Sequence, residues 1–257
     1  MTEELKGRIR SGELEPGTEL ATEFDLAAQH DLDVQSIRLV LADLANLGLI
    51  EHSPGRPIRV REFPAFTLYA SREKPGRGPE NSDSYHTDVA LQGRLAGHQV
   101  YVTKDTAKAE VARRLRIPEG SAVVFRQMWR QIDGEHWSVE TSYYPLDLVK
   151  DTDLMKPEDI KRGTIEVLAE KGHRQVGYTD RVTAREPTLE EAEYFGLDPS
   201  TRPAIPVIEH WRTAYSVQRP IRVTHTILPA DRNHLLYETG DVSAYHAEEI
   251  FPGSDHD

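Results

Sequence analysis

The first 62 residues combine short stretches of helical hydrophobic periodicity with turns between them. The first apolar stripe consists of Leu5, Ile9 and Leu14. Pro16 and Gly17 then interrupt the pattern, as expected of a turn. A second helix follows and fades near His30; Thr22 is its predicted cap, with Asp25 in a variant of the capping box.

The next stretch predicts a third helix and a hairpin. Asp33 is suited to cap the helix, whose apolar positions follow the i, i+3, i+4, i+7 spacing of one buried face. These positions are Ile37, Val40, Leu41, Leu44 and Leu47. Gly48 is expected to end the helix. Ile50 and residues 58–60 flank the segment SPGRP, which indicates a hairpin.

The rest of the chain has a different pattern. Residues 63–84 are rich in Pro, Gly, Ser and charge, which predicts an inter-domain linker. Residues 85–237 contain two predicted short helices, TIEVLAEKG and TLEEAEYFGL, and a predicted hairpin turn at Asp133-Gly134. Five strands are predicted there: SAVVFRQMWRQI, HWSVETSYYPL, YTDRVTAREP, AIPVIEHWRTAY and VQRPIRVTHTILP. Residues 238–257 are expected to be an acidic, mobile tail. We therefore predict an α+β protein with a helical domain at 1–62 and a mixed domain at 85–237.

The composition narrows the class of protein. The 257 residues contain 38% hydrophobic residues and no cysteine, which excludes disulfides, cysteine-ligated metals and cysteine nucleophiles and fits a reducing cytoplasm. We find neither an apolar run long enough to span a membrane nor a secretory signal at the start. The expected location is the cytoplasm.

Charge and motifs exclude several kinds of site. The net charge of −12 argues against a broad, nonspecific electrostatic surface for nucleic acid but leaves room for a small local one. The 11 histidines include no HExxH, and no phosphate-binding glycine loop occurs. No Ser-His-Asp arrangement can be argued from spacing. The sequence therefore predicts no catalytic residue, no metal site and no cofactor.

Four segments of the first domain carry a family resemblance: IRSGELEPGTEL, TEFDLA, VQSIRLVLADLANLGLI and SPGRPIRV. In this order and spacing they resemble the winged helix-turn-helix domain of the GntR family of bacterial transcriptional regulators. The resemblance implies a recognition helix starting at Asp33 and a wing formed by the hairpin. The implied contacts with operator DNA are Gln35, Ser36 and Arg38 on the helix and Arg56 and Arg59 on the wing.

The resemblance is incomplete at two DNA-contacting positions. The family usually has Arg where this chain has Phe24 and Val34, and residues 1–62 hold 12 acidic and 7 basic residues. Fewer phosphate contacts predict weak nonspecific binding and an unusual operator. An alternative stays open, which is that the domain no longer recognises a DNA sequence well. In that case Arg38 is a solvated helix residue, paired with Asp33 or Asp43.

The second domain resembles the effector-binding UTRA domain of the HutC subfamily. The matching segments are AEVARRLRIPEGSAVVFRQMWRQIDGEHWSVETSYYP, TIEVLAEKG, LEEAEYFGLDPSTRPAIPVIEHWRTAY and THTILPADR. The resemblance implies a chorismate-lyase-like fold with an antiparallel sheet. It also implies a small-molecule effector, commonly a phosphorylated sugar or another small anionic metabolite.

Nine residues are the candidate effector contacts. They are Ser84, Tyr85, His86, Thr87, Arg126, Arg130, Glu140, Thr164 and Arg222. Arg126 shares a strand face with Arg130 and is a candidate replacement for the Arg that many sugar-phosphate binders have at Met128. Arg222 and Leu228 stand where amino-sugar binders tend to have Glu and Tyr, which favours a differently charged ligand, or none. Arg130 and Glu140 also fit a cross-strand ion pair without a ligand.

These features together predict a ligand-responsive regulator, usually a repressor in this family. It would bind double-stranded operator DNA as a homodimer built largely through the effector domains. Two alternatives stay open. One is a ligand-sensing module with a degenerate DNA-binding domain. The other, less favoured, is a lyase-like enzyme, since fold likeness alone does not establish function.

Overall fold

The structure is a computed structural model of the chain. It describes residues 1–11, 13–46, 48–52, 57–61, 65–70, 84–160, 162–197 and 205–239. The chain divides into two compact units. Unit 1 comprises Met1–Phe66 with Asp231–His234, and unit 2 comprises Thr67–Ala230 with Leu235–Asp257.

Unit 1 contains the predicted three helices followed by a hairpin. Its elements are α1 (Thr2–Arg10), α2 (Glu23–His30), α3 (Val34–Asn46), β1 (Ile50–Glu51) and β2 (Arg59–Val60). The core includes the predicted apolar faces, with Leu5, Leu26, Ile37, Leu41, Leu44 and Ile58 all buried. Burial of these side chains between the helices and the hairpin is the main stabilising contribution to this unit. Leu47 lies outside the described residues.

The predicted helix caps of unit 1 are confirmed. The Thr22 hydroxyl accepts the backbone N–H of Asp25 at 3.2 Å. The carboxylate of Asp33 accepts the backbone N–H of Ser36 at 2.9 Å. Such side chains satisfy donors that the first turn of a helix leaves without partners. Gly48 has a φ of +69°, the left-handed conformation expected after the end of a helix.

A strand lies within the segment predicted as a linker at 63–84. It is β3 (Phe66–Tyr69), which pairs with β10 (Asn233–Leu236) in a two-stranded sheet. The predicted linker is therefore wrong for these four residues, which form a strand with Phe66 and Tyr69 buried and the two residues between them half-buried. Residues 71–83 lie outside the described part of the chain.

Unit 2 is built on a six-stranded antiparallel sheet with the order β4-β5-β6-β9-β8-β7. Its strands are β4 (Ala96–Thr106), β5 (Ala122–Ile132), β6 (Glu135–Pro145), β7 (Gly177–Arg185), β8 (Val207–Tyr215) and β9 (Pro220–Pro229). The sequence pattern predicts five of these strands but not β4. Because β4 lies at the sheet edge and has no fully buried residue, its hydrophobic alternation is weak.

Local signals set the turns and helices of unit 2. Asp133 and Gly134 have φ values of +54° and +87°, as the tight hairpin between β5 and β6 requires. Thr188 and Glu191 form a reciprocal capping box at the start of the helix Leu189–Phe195. The helices are α4 (Ser84–Leu91), α5 (Ala109–Leu115), α6 (Leu146–Val149), α7 (Thr164–Glu170) and α8 (Leu189–Phe195), with a 3-10 turn at Asp153–Met155.

The two faces of the large sheet pack against different helices. On one face, α5 and α8 bury side chains such as Leu115 and Phe195. On the other, α6 and α7 pack over Val124 and Tyr144. This second face also carries the polar residues described below, and we call it the polar sheet face. None of the described helices is long and apolar enough to cross a membrane.

Candidate DNA-reading face and effector-binding face

The outward side of α3 begins with two residues that were predicted to contact DNA. Gln35 is exposed. Ser36 is half-buried, and its hydroxyl donates to the Asp33 carboxylate at 2.6 Å. These hydrogen bonds from Ser36 lower the pKa of Asp33 below its ordinary value. Ser36 is thus held in the helix cap, whereas the Gln35 amide points outward.

Arg38 makes an ion pair with a residue on the neighbouring helix. Its Nε donates to Glu23 Oε2 at 2.8 Å, and its side chain remains about half exposed. Neither Asp33 nor Asp43, the partners considered from the sequence, takes this role. Glu23 Oε1 also lies 3.2 Å from Nε2 of His52, which follows β1. The hydrogen bond from Arg38 is the largest of the interactions that lower the pKa of Glu23.

The wing carries a second exposed ion pair. Arg59 Nη2 lies 3.2 Å from Glu19 Oε2, with both side chains more than half exposed. The backbones of the two residues also pair in a β-bridge. Arg56, the other predicted wing contact, lies outside the described residues. Both described arginines of the predicted DNA contacts therefore have carboxylate partners, which reduces the positive potential that they offer to phosphates.

The two positions where the family usually has Arg differ in their surroundings. Phe24, the second residue of α2, is 70% exposed. Val34, the first residue of α3, is half-buried and packs against the core of unit 1. Val34 therefore has a packing role, whereas nothing in the core requires the Phe24 ring.

The polar sheet face of unit 2 brings together polar residues from several strands. Cross-strand pairing places Arg126 opposite Ser142, Ser142 opposite Thr224, and Thr224 opposite Arg212. Since partners across a ladder point to the same side, these side chains form one row. The polar residues of this face that are almost fully buried are Arg126, Ser138, Ser142, His210, Arg212, Arg222, Thr224 and Thr226.

Arg130 and Glu140 are brought together as predicted. Arg130 Nη2 lies 3.0 Å from Glu140 Oε2, and the two side chains are 13% and 24% exposed. The Arg130 guanidinium also stacks over the Tyr85 ring, 4.5 Å from its centre. Tyr85 is fixed in turn by its hydroxyl, which donates to the backbone carbonyl of Gln131 at 2.8 Å. This arrangement fits both a ligand contact and an intrinsic ion pair.

Helix α4 contributes the other candidates near this position. His86 Nε2 lies 2.9 Å from Nδ1 of His98, the residue opposite Arg130 on β4. Thr87 is exposed, and the side chain of Ser84 lies outside the described residues. Within the described part of the chain, no group of His, Asp or Glu side chains is arranged to hold a metal ion.

Arg222 and Thr164 are the second pair of candidate effector contacts that the structure brings together. Arg222 Nη1 donates to the Thr164 hydroxyl at 3.0 Å. Arg222 is 5% exposed on β9, while Thr164 is the first residue of α7 and half-buried. An almost buried guanidinium joined to a hydroxyl group can bind a small anion through charge-assisted hydrogen bonds.

Arg126 has another role from the one predicted. Its Nη1 donates to the carbonyl of Lys156 at 2.7 Å, and its Nη2 donates to the carbonyl of Glu158 at 2.6 Å. The side chain is only 3% exposed. Arg126 therefore fixes the loop that follows the 3-10 turn, and we do not assign it as the replacement for an Arg at Met128.

A buried charge cluster on β7 and β8 was missed in the sequence analysis. Arg212 makes two hydrogen bonds of 2.8 Å to the carboxylate of Asp180, and His210 Nε2 lies 3.1 Å from the same group. Arg212 also bonds the carbonyl of Ala70 and stacks over Tyr178. Burial raises the pKa of Asp180, but the hydrogen bonds from Arg212 and His210 outweigh it and hold the pKa far below its usual range. The available signal was the pair His210 and Arg212 at alternate positions of one predicted strand, which places both on the same face of the sheet.

Two family models match the chain. The model of the UTRA domain matches residues 92–234. The model of bacterial regulatory proteins of the gntR family matches residues 1–60. The UTRA match includes all six strands of the large sheet, and the gntR match includes the three helices and the hairpin of unit 1.

Curated proteins with similar sequences are transcriptional regulators by name. The HTH-type transcriptional regulator GgaR of Escherichia coli K12 is 29% identical over 153 residues, which cover 59% of this chain and 57% of that protein. The chain thus matches little more than half the length of this relative. The HTH-type transcriptional regulator SCO4628 of Streptomyces coelicolor is 26% identical over 218 residues, 82% of this chain and 80% of that protein.

Solved structures show a similar fold over both units. The crystal structure of PhnF from Mycobacterium smegmatis aligns with a TM-score of 0.61 at 20% identity and covers 93% of this chain and 99% of that one. At this level of identity the similarity concerns the fold. It agrees with the arrangement of helices, hairpin and antiparallel sheet described above.

Proposed function

Because the chain belongs to the GntR family of bacterial regulatory proteins and carries a UTRA domain, we propose that it is a ligand-responsive transcriptional regulator. Unit 1 binds operator DNA, and unit 2 binds a small metabolite. The observation that carries the proposal is the gntR match over a unit whose recognition helix has an exposed outward side with Gln35 and Arg38. We place the protein in the HutC subfamily and, with its DNA, in the cytoplasm.

The proposed DNA contacts follow from the exposed groups of unit 1. The Gln35 amide can make two hydrogen bonds with adenine, and the Arg38 guanidinium can do the same with guanine. Arg56 and Arg59 on the wing contact phosphates or the minor groove. Because Arg38 and Arg59 are paired with carboxylates, we expect base contacts to contribute more to affinity than bulk electrostatic attraction.

The proposed effector site lies on the polar sheet face of unit 2. Arg222 and Thr164 bind the anionic group of the ligand, since their contact places a buried guanidinium beside a hydroxyl. Arg130, Glu140, Tyr85 and His86 contact the remainder of the ligand. Many polar groups are almost buried on this face, and such groups favour a polar ligand because they can satisfy its hydrogen bonds.

We propose a homodimer as the functional state. A row of aromatic rings lies on the sheet face opposite the polar one, where the rings of Tyr101 and Phe125 are 6.3 Å apart and those of Phe125 and Tyr143 are 5.5 Å apart. Tyr101 at the end of this row is 51% exposed. Such a surface suits the packing of a second copy, and a symmetric dimer presents two recognition helices to two half-sites.

We propose that the protein acts as a repressor and that ligand binding lowers its affinity for the operator. The ligand achieves this only if it binds more tightly to the dimer geometry that misplaces the recognition helices. Regulation rather than catalysis is the proposed activity of unit 2.

A second function is favoured by two observations on charge. Residues 1–62 hold 12 acidic and 7 basic residues, and both described DNA-contacting arginines are paired with carboxylates. These charges suit a ligand-sensing module whose first unit no longer binds DNA. The two candidates differ in one property, which is a preference for a particular DNA sequence.

The experiment that tests the proposal combines DNA selection with ligand screening on the full chain. An operator is selected from random duplexes at about 100 mM salt, where nonspecific attraction is partly screened. We expect one enriched, near-palindromic sequence. Thermal-shift measurements with phosphorylated sugars and inorganic phosphate then identify the ligand class, which we expect to weaken operator binding. Ligand binding without any enriched sequence would support the sensing module instead.

A further inference from the structure

We propose that Phe24 determines part of the operator sequence by contacting the C5-methyl group of a thymine in the major groove. This inference rests on the proposed function, because it concerns the same DNA-reading face. What it adds is the chemical group that Phe24 recognises, at a position on α2 where the family usually has a DNA-contacting Arg.

The first observation is the position of Phe24 beside the recognition helix. The preceding residue, Glu23, accepts a hydrogen bond from Arg38 on α3 at 2.8 Å. The first turn of α2 therefore lies against the outward side of α3, where Arg38 is half exposed. A side chain that leaves this turn toward solvent is close to the groups that would meet base edges.

The second observation is where unit 1 exposes its large apolar side chains. Phe24 and Leu39 are each 70% exposed, and Leu32 is 41% exposed. Among the described residues of unit 1, these three are the exposed large hydrophobic residues, and all lie on α2, on α3 or in the turn between them. Leu39 is four residues after Gln35 and so shares its side of the helix.

The third observation is the charge around Phe24. Its neighbours in the chain, Glu23 and Asp25, are the two acidic residues in the first turn of the helix. Phosphate groups are repelled by such a surface, so the first turn of α2 is poorly suited to a backbone contact. A base edge is the better partner, since it carries no net charge.

The chemistry of the groove then selects the base. The C5-methyl group of thymine is the prominent apolar group in the major groove, and a phenylalanine ring is among the side chains that contact it. Cytosine and uracil present a hydrogen at the same position. An exposed phenylalanine therefore distinguishes thymine from both pyrimidines without any hydrogen bond.

The test uses the selected operator and duplexes in which one thymine at a time is replaced by deoxyuridine. This change removes a methyl group and keeps every base-pairing group. We expect the full-length protein to lose about four-fold in affinity at one or two positions of each half-site, as for the loss of one buried methyl contact. For the variant Phe24→Ala, we expect weaker binding that no longer responds to the same replacement.

Leu39→Ala is the matched control, because it removes an equally exposed apolar side chain from α3. We expect it to keep the response at the thymine assigned to Phe24. The variant Phe24→Arg, which restores the residue usual in the family, should bind all duplexes more tightly, with a steeper dependence on salt. It should also lose the discrimination at that thymine.

The outcomes separate this inference from the proposed function. If Phe24→Ala responds to every deoxyuridine replacement as the unaltered protein does, Phe24 reads no methyl group, although specific binding stands. The same conclusion follows if Phe24→Ala binds as tightly as the unaltered protein; a partner protein would then be the alternative occupant of this surface. If no sequence is enriched at all, the proposed function itself fails.

Discussion

Arg38 Nε donates a hydrogen bond to Glu23 Oε2 at 2.8 Å, which connects the recognition helix α3 to the first turn of α2. Because the Arg38 side chain is about half exposed, this pair adds little to the stability of unit 1. Under the proposed function we expect a larger effect on DNA binding, since the carboxylate both orients the guanidinium and opposes the negative charge of DNA.

The variant Glu23→Gln tests this double role. Removal of the negative charge should strengthen binding to random-sequence DNA by a few-fold at low salt and make the dependence on salt steeper. The preference for the operator should decrease, because a neutral amide oxygen orients Arg38 less strongly than the carboxylate does. Fluorescence anisotropy over a range of KCl concentrations measures both quantities.

Glu13→Gln is the matched control for this charge change. Glu13 makes a comparable exposed ion pair with Arg8, at 2.7 Å and remote in sequence from the recognition helix. It should alter the salt dependence slightly and leave the preference for the operator unchanged. Equal effects of the two variants on that preference would show that Glu23 acts through overall charge alone.

The wing residue Arg59 should contribute to affinity but not to sequence preference. We expect Arg59→Ala to weaken binding to operator and random DNA by the same factor and to reduce the slope of log K against log salt by about one. The thermal midpoint should stay constant because the pair with Glu19 is exposed. A loss confined to the operator would instead assign Arg59 to base recognition.

The fold of unit 1 could be predicted almost completely, because its signals are local. Thr22 and Asp33 cap helices within three residues of their own position, and the apolar spacing of α3 fixes its buried side. The partner of Arg38 could not be predicted, since Glu23 lies 15 residues away and on another helix. Contacts of this kind depend on how helices cross, which sequence spacing does not specify.

The buried cluster of unit 2 predicts a specific dependence of stability on pH. The pKa of Asp180 lies below its usual value in the folded protein, so the pair with Arg212 stabilises the fold at neutral pH. This contribution decreases as the pH falls from about 5, because the unfolded chain takes up the proton first. Urea unfolding of the full chain at pH 7 and at lower pH values measures it.

Asp180→Asn should lower the free energy of unfolding by about 3 kcal/mol at pH 7, because it leaves the almost buried Arg212 without its charge partner. The variant should also show a weaker pH dependence below pH 5 than the unaltered protein. Identical pH profiles for the two proteins would mean that the Asp180 carboxylate does not account for the acid sensitivity.

Arg126 and Arg222 should respond differently to the same substitution. We expect Arg126→Met to destabilise unit 2 by about 2–3 kcal/mol, because two backbone carbonyls lose their donors. Ligand binding by the folded fraction should remain. Arg222→Met should weaken binding of a phosphorylated ligand by about tenfold or more. Titration calorimetry measures ligand binding, and thermal unfolding measures stability. If Arg126→Met weakened ligand binding and Arg222→Met destabilised unit 2 instead, the two assignments would be exchanged.

The effector face shows where prediction from the sequence ends. Arg130 and Glu140 could be placed on neighbouring strands, because a two-residue turn at Asp133-Gly134 joins β5 and β6. That they share one face depends on an irregularity between Arg130 and Gln131 that shifts the register, and the turn does not predict it. The contact between Arg222 and Thr164 joins residues 58 positions apart. The guanidinium of Arg126 donates to the carbonyl of Lys156, 30 residues further along the chain. Such tertiary contacts follow from how the helices pack on the sheet, which strand alternation alone does not determine.

The most direct test of the central claim is the affinity of the full chain for its selected operator, measured against Arg38→Ala and against the ligand found by thermal shift. We expect sequence-specific binding that Arg38→Ala abolishes without loss of folding, and that the ligand weakens. Equal affinity for operator and random DNA, or operator binding unaffected by Arg38→Ala, would contradict the assignment of α3 as the DNA-reading helix.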